Sequence, residues 1–166
     1  MENQLTNGVG IINTWIIQYR LTALSTEYTR PFMTTITSVH HINFVVKDLQ
    51  PNIEYLSRLL DQQPTIDELV NRQVKTARFE LNGSWIVLVQ PLNQQGVVAK
   101  VLQEKGEGLF LLSLGVESLE ESILQLEKNH IKIDQKGQRQ GLSTWRVQDI
   151  DAPAALGPIL QICQPK

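Results

Sequence analysis

A chain of 166 residues, 42% hydrophobic and 19% charged, can bury one substantial core and is too short for a string of domains. A net charge of −2 argues against a nucleic-acid binder, which carries a basic face, and no apolar run approaches the roughly 20 residues that cross a bilayer. The single Cys163 excludes an internal disulfide and points to a reducing, cytoplasmic setting.

Residues 1–33 read as an N-terminal extension. Val9, Ile11, Ile12, Trp15, Ile16, Tyr19 and Leu21 are spaced for a short amphipathic helix. The segment lacks the basic start of a signal peptide, and Arg20 follows its apolar part closely. It reads either as a helix packed on the core or on a partner, or as the product of an upstream start, with Met33 opening the natural beginning.

From residue 39 the pattern sharpens. In VHHINFVV, His41, Asn43 and Val45 alternate with Ile42, Phe44 and Val46, which predicts a strand with one greasy face. By that alternation His40 points away from His41, to a structural or exposed position. Asp48 caps a helix whose first turn holds Pro51, and Leu49, Ile53, Leu56 and Leu60 form its apolar stripe. Residues 61–73 are polar and read as a loop or a short irregular strand. VKTARFEL (74–81) alternates as a strand, Asn82 and Gly83 make a hairpin turn, and WIVLVQ (85–90) is a strand ended by Pro91. Residues 93–108 form a connector, with Val97, Val98, Val101 and Leu102 on a short helix stopped by Gly106.

The opening unit then returns. LFLLSLGVESLEESILQLEKNH (109–130) places Leu111, Ser113, Leu119, Ile123 and Leu126 where His41, Asn43, Leu49, Ile53 and Leu56 stood, each 70 positions on (111 − 41 for the first). Ser118 with Glu121 fits a capping box. Further on, residues 131–133 make a short strand, 137–141 a polar turn, 142–147 (LSTWRV) a strand and 149–158 a loop. The closing strand, 159–163, matches 85–89 at an offset of 74 (161 − 87). The predicted fold is α+β: a βαβββ module over residues 34–92, the connector, and a second βαβββ module over 109–166, their strands forming a curved mixed sheet around a cleft.

Two tandem βαβββ units opened by H-I-x-φ-φ-V-x-D-L resemble the vicinal oxygen chelate superfamily of glyoxalase I, bleomycin-resistance proteins, extradiol dioxygenases and methylmalonyl-CoA epimerase. The stretch VLQEKGEGLFLLSLGVESLEESI is most similar to the epimerase branch, whose members carry K-G-E-G-L-H-H-I at that place. The resemblance implies one glyoxalase-like domain over about residues 37–165. It also implies a divalent metal held by one inward side chain from each of four strands. The matching positions are His41, Val87, Leu111 and Gln161, two of them hydrocarbons, so no metal is expected. The epimerase bases fall on Gln161 and on Asn71 or Arg72, neither pair offering a carboxylate.

The expected site is therefore His41 as acid, base or hydrogen-bond donor, with Asn43, Arg72, Val87, Leu111, Ser113 and Gln161 around a small-molecule ligand. Gln161 is expected to pair with His41 across the cleft. Arg78 and Arg146 are further rim cations, and Trp85 and Trp145 are candidates for stacking or core packing. A metal-free binding protein is the leading expectation, with a metal-independent isomerase, cyclase or lyase, or a diverged epimerase, as the alternative. A third reading keeps the fold for homodimerisation or another partner.

Overall fold

The computed structural model describes residues 35–153 and 159–165, and the helix expected within residues 1–33 lies outside them. The first module runs β1 (Ile36–Val45), α1 (Leu49–Leu60), β2 (Thr65–Leu69), β3 (Val74–Leu81) and β4 (Ser84–Pro91). The connector is α2 (Val97–Lys105). The second module runs β5 (Gly108–Val116), α3 (Leu119–Lys128), β6 (Arg139–Gln140), β7 (Arg146–Ile150) and β8 (Ile159–Gln164). All eight strands join one mixed sheet in the order β2-β3-β4-β1-β5-β8-β7-β6. β1 and β5 pair antiparallel at its centre, and each pairs in parallel with the last strand of its own module.

Register confirms the duplication residue by residue. Asn43 lies opposite Val87 in the first half, and Ser113 lies opposite Gln161 in the second. The helix caps repeat as well. Asp48 accepts from the Gln50 amide at 3.0 Å and Ser118 from the Glu121 amide at 3.3 Å. The first helical amide of each copy is met by a glutamine at the end of the module's last strand: Leu49 N donates to Gln90 Oε1 at 2.8 Å and Leu119 N to Gln164 Oε1 at 3.1 Å.

Each helix covers the outer face of its own half. Leu49 and Ile53 of α1 pack on Ala77, Phe79 and Leu88. Leu119 of α3 packs with Val116, Ile150 and Ile162. Phe79, Leu119 and Ile162 are fully buried, each contributing about 2 kcal/mol. That packing, more than propensity, holds two helices that would be marginal alone. At the turns, Asn82 and Gly83 have φ of 46° and 90°, the hairpin geometry expected of Asn-Gly. Gly106 and Gly108 have φ of 79° and 140°, so the Gly-Glu-Gly entry to β5 uses conformations that side chains resist. No helix among the described residues is long and apolar enough to cross a membrane.

Four local expectations are corrected. Residues 65–69 form a regular strand, β2, paired along its length with β3. In the segment 131–133 only Ile133 makes a single bridge, to Ile150. The strand expected over 142–147 begins at Arg146, because Trp145 N bonds back to Leu142 O at 3.1 Å and closes a turn there. Asp149 and Ile150, assigned to a loop, belong to β7. Helix α3 ends at Lys128, and His130 follows with φ of 62°.

Candidate functional site

The concave face of the sheet encloses a cavity of about 420 Å³ with an apolar body of Val74, Val89, Phe110, Leu111, Leu142 and Ile159. Its position follows from two matched irregularities. Between Val39 and His41, β1 carries one residue more than β5 opposite it. Between Asn43 and Phe44 the extra residue, Phe110, is on β5. A β-bulge of this kind re-aims side chains. It breaks the alternation, so His40 and His41 come together inside the fold, each 4% exposed, and Phe110 and Leu111 both line the cavity. His40 is thus neither exposed nor on the opposite face.

The two histidines bond to each other, Nδ1 to Nδ1, at 2.8 Å. One ring therefore carries its proton on Nδ1 and the other on Nε2. Trp145 stacks on His41 with centroids 4.9 Å apart and meets His40 edge-on at 4.6 Å. Burial, and secondarily the neighbouring His40, pushes His41 down to about 3, and burial also lowers His40. His41 is neutral at physiological pH and can accept or donate a hydrogen bond, but it offers no positive charge.

Beside His41, Asn43 lines the cavity at 9% exposure, and its Oδ1 has no hydrogen-bond partner. A buried amide oxygen left unmatched costs about 1–3 kcal/mol. Across the cleft runs a polar chain. Ser113 Oγ donates to Gln161 Oε1 at 3.2 Å, Gln161 Nε2 donates to Asp149 Oδ1 at 2.8 Å, and Arg139 Nη2 reaches the same oxygen at 2.8 Å. Gln161 thus pairs with Ser113 and Asp149, and the expected bond to His41 does not form.

Of the residues singled out from sequence, His41, Asn43, Arg72, Leu111 and Gln161 line the cavity. Val87 and Ser113 are fully buried beneath it. Arg78 is tied to Asp67 at 2.9 Å and lies over Trp85, and Arg146 is tied to Glu120 on the outside. Sequence reasoning missed Arg139 and Asp149 as cavity residues, while Trp145, named from sequence for stacking or core packing, does line the cavity. The signal for Asp149 was the pattern of RVQDI, a strand with a polar residue on its buried side.

The four positions where the resemblance implies metal ligands do not fit a divalent ion. Val87 and Leu111 have no donor atom, and both amide atoms of Gln161 are engaged within the protein. A different donor set lies nearby: nitrogens of His40 and His41 and the sulfur of Cys163 fall within 4.8 Å of one another. The histidines there are bonded to each other, and burial pushes the Cys163 thiol up to about 12, so it stands as a neutral thiol.

With fold and cleft in view, the comparison with known families is direct. The model of the Glyoxalase/Bleomycin resistance protein/Dioxygenase superfamily matches residues 40–148, and the chain belongs to that superfamily. The chain is 26% identical over 124 residues to the uncharacterized protein YqjC of Bacillus subtilis (strain 168), spanning 74% of this chain and 86% of that one. The hypothetical protein BH1468 from Bacillus halodurans C-125 is 26% identical with a TM-score of 0.70, over 77% of this chain and 94% of that one. Methylmalonyl-CoA epimerase from Mycobacterium tuberculosis gives a TM-score of 0.71 at 22% identity, over 83% and 94% of the two chains. At that identity the likeness is one of fold.

Proposed function

We propose that this protein binds a small organic molecule in the cleft between its two halves, by apolar contact and a few hydrogen bonds and without the superfamily's four-ligand metal. One observation carries this reading: Asn43, nine-tenths buried and with its Oδ1 unmatched, lines an apolar cavity of about 420 Å³. That volume falls in the range of small-molecule sites, about 300–1,000 Å³, which pair apolar walls with a few aimed polar groups. A guest that drew the Asn43 amide round to meet its own N–H or O–H would remove the penalty the buried oxygen now bears. Hydrocarbons at Val87 and Leu111 support the metal-free form of the reading.

A thermal-shift screen with acyl thioesters, aromatic polyketides and antibiotics tests it. Binders should raise the unfolding temperature of the wild type and have a smaller effect on Asn43→Leu. A broad set without a binder would favour a scaffold kept for association with other chains.

His41 supports a second reading, a metal-independent isomerase, cyclase or lyase. Its imidazole is neutral, buried and on the cavity wall; held down to about 3 it is a weak base, suited to holding a proton shared with a hydrogen-bonded guest more than to abstracting one from carbon. Turnover of any bound compound should vanish in His41→Gln. Unchanged turnover would remove His41 from the chemistry.

A further inference from the structure

We propose that the molecule taken up by the cleft is an organic anion, an apolar body bearing a carboxylate or phosphate that docks against Arg72 and Arg139. This rests on the reading that the cleft is a binding site, and it adds the ligand's charge and direction.

The charge of the cleft is opposite to that of the chain. The whole sequence carries −2. The charged side chains lining the cavity are Arg72, Lys136, Arg139 and Asp149, three cations and one anion, a local balance of +2. Lys136 is answered by Asp134 at 3.4 Å and Arg139 by Asp149 at 2.8 Å. Arg72 is the one cavity-lining cation with no acidic partner among the described residues.

Arg72 is placed by local geometry. It ends a 3-10 turn, Val70–Arg72, and Gln73 follows at φ of 56° with its amide bonded to Val70 O. Its guanidinium crosses to the other half, where Nη2 donates to the carbonyls of Gln140 and Gly141. Gln140 is in β6 beside Arg139, and the charge of Arg72 is disfavoured first by partial desolvation and then by the nearby Arg139. Arg72 and Arg139 line the same apolar cavity and both reach solvent, which screens them; an anion seated between them would stabilise the pair further. Nε and Nη1 of Arg72, and Nε and Nη1 of Arg139, have no partner within the described structure, which leaves charged N–H donors on both groups for carboxylate or phosphate oxygens. An uncharged polar group farther along the guest would meet Asn43, so the two features fix both ends of one molecule.

Isothermal titration calorimetry with three compounds of one body separates the outcomes: naphthalene-2-carboxylate, 2-naphthyl phosphate and naphthalene-2-methanol. At low salt, one or both anions should bind roughly tenfold or more tighter than the alcohol, the scale of one charge-assisted hydrogen bond. The tighter anion identifies the headgroup. Arg72→Met should erase the preference, and a cooperative thermal melt of the variant shows that it is folded. Equal affinity for all three compounds would overturn the anion proposal and leave the apolar binding site standing. No heat from any of the three at millimolar concentration would overturn both. Equal loss of all three in Arg72→Met would make Arg72 a latch between the halves, and the proposal would fall.

Discussion

The Nδ1 atoms of His40 and His41 lie 2.8 Å apart, although the residues are neighbours in a strand and would ordinarily face opposite ways. The bulge that brings them together also makes the pair a pH-sensitive part of the fold. Burial lowers both values, His41 to about 3, whereas an unfolded histidine titrates near 6.5. Between those values the unfolded state binds more protons, so stability is full above about pH 6.5 and falls as the pH drops toward 3. The loss from His41 should approach about 1.4 kcal/mol per pH unit in mid-window. Denaturant melts at pH 7.5, 6, 5 and 4 should show His41→Gln with a shallower decline than the wild type.

Asn43 predicts a trade between stability and binding. Asn43→Leu keeps the shape and removes the unmatched buried amide. It should raise unfolding free energy by about 1 kcal/mol, or at least not lower it. Any ligand found for the wild type should bind it more weakly. A variant both destabilised and unaltered in binding would show the amide to be matched in solution by something other than a guest.

The chain Ser113–Gln161–Asp149–Arg139 predicts a different response. Asp149→Ala strands the Gln161 amide and the Arg139 guanidinium and should cost on the order of 2 kcal/mol in urea unfolding. Gln161→Glu sets a second carboxylate against Asp149. That variant should be less stable than the wild type at pH 7 and recover part of the deficit at pH 5, as one acid takes up a proton.

Cys163 is fully buried, and its thiol is pushed up to about 12 by desolvation, which outweighs the hydroxyl of Ser113 beside it. The native protein should react with a disulfide reagent such as Ellman's far more slowly than the urea-unfolded chain, which should release one equivalent at once. Fast native labelling would mean that the β7–β8 end of the sheet opens.

Much of the architecture was legible because its periods are simple. The stripe Leu49, Ile53, Leu56, Leu60 and the spacing of 70 between copies need no tertiary information. Edge strand β2 was harder to read, since Thr65, Ile66 and Glu68 of TIDEL are exposed and nothing marks a buried face. His40 was misplaced because a bulge adds one residue without leaving a trace in the alternation. On the cavity wall, His41, Asn43, Leu111 and Gln161 could be named because the repeat gives their equivalence. Arg139 and Asp149 could not, because their positions depend on a two-residue edge strand and a pairing that exist only once β7 lies between β6 and β8.

The duplication that built the sheet has a chemical counterpart that is not duplicated. Where one half offers His41 and Asn43, its twin offers Leu111 and Ser113, and Val87 faces a counterpart in Gln161. The backbone is thus nearly two-fold, while the cavity lining, with His41 on one side and Leu111 on the other, is not. Any guest of the cleft turned half a revolution about the β1–β5 seam would meet Leu111 in place of His41, so the broken symmetry favours one orientation over the other.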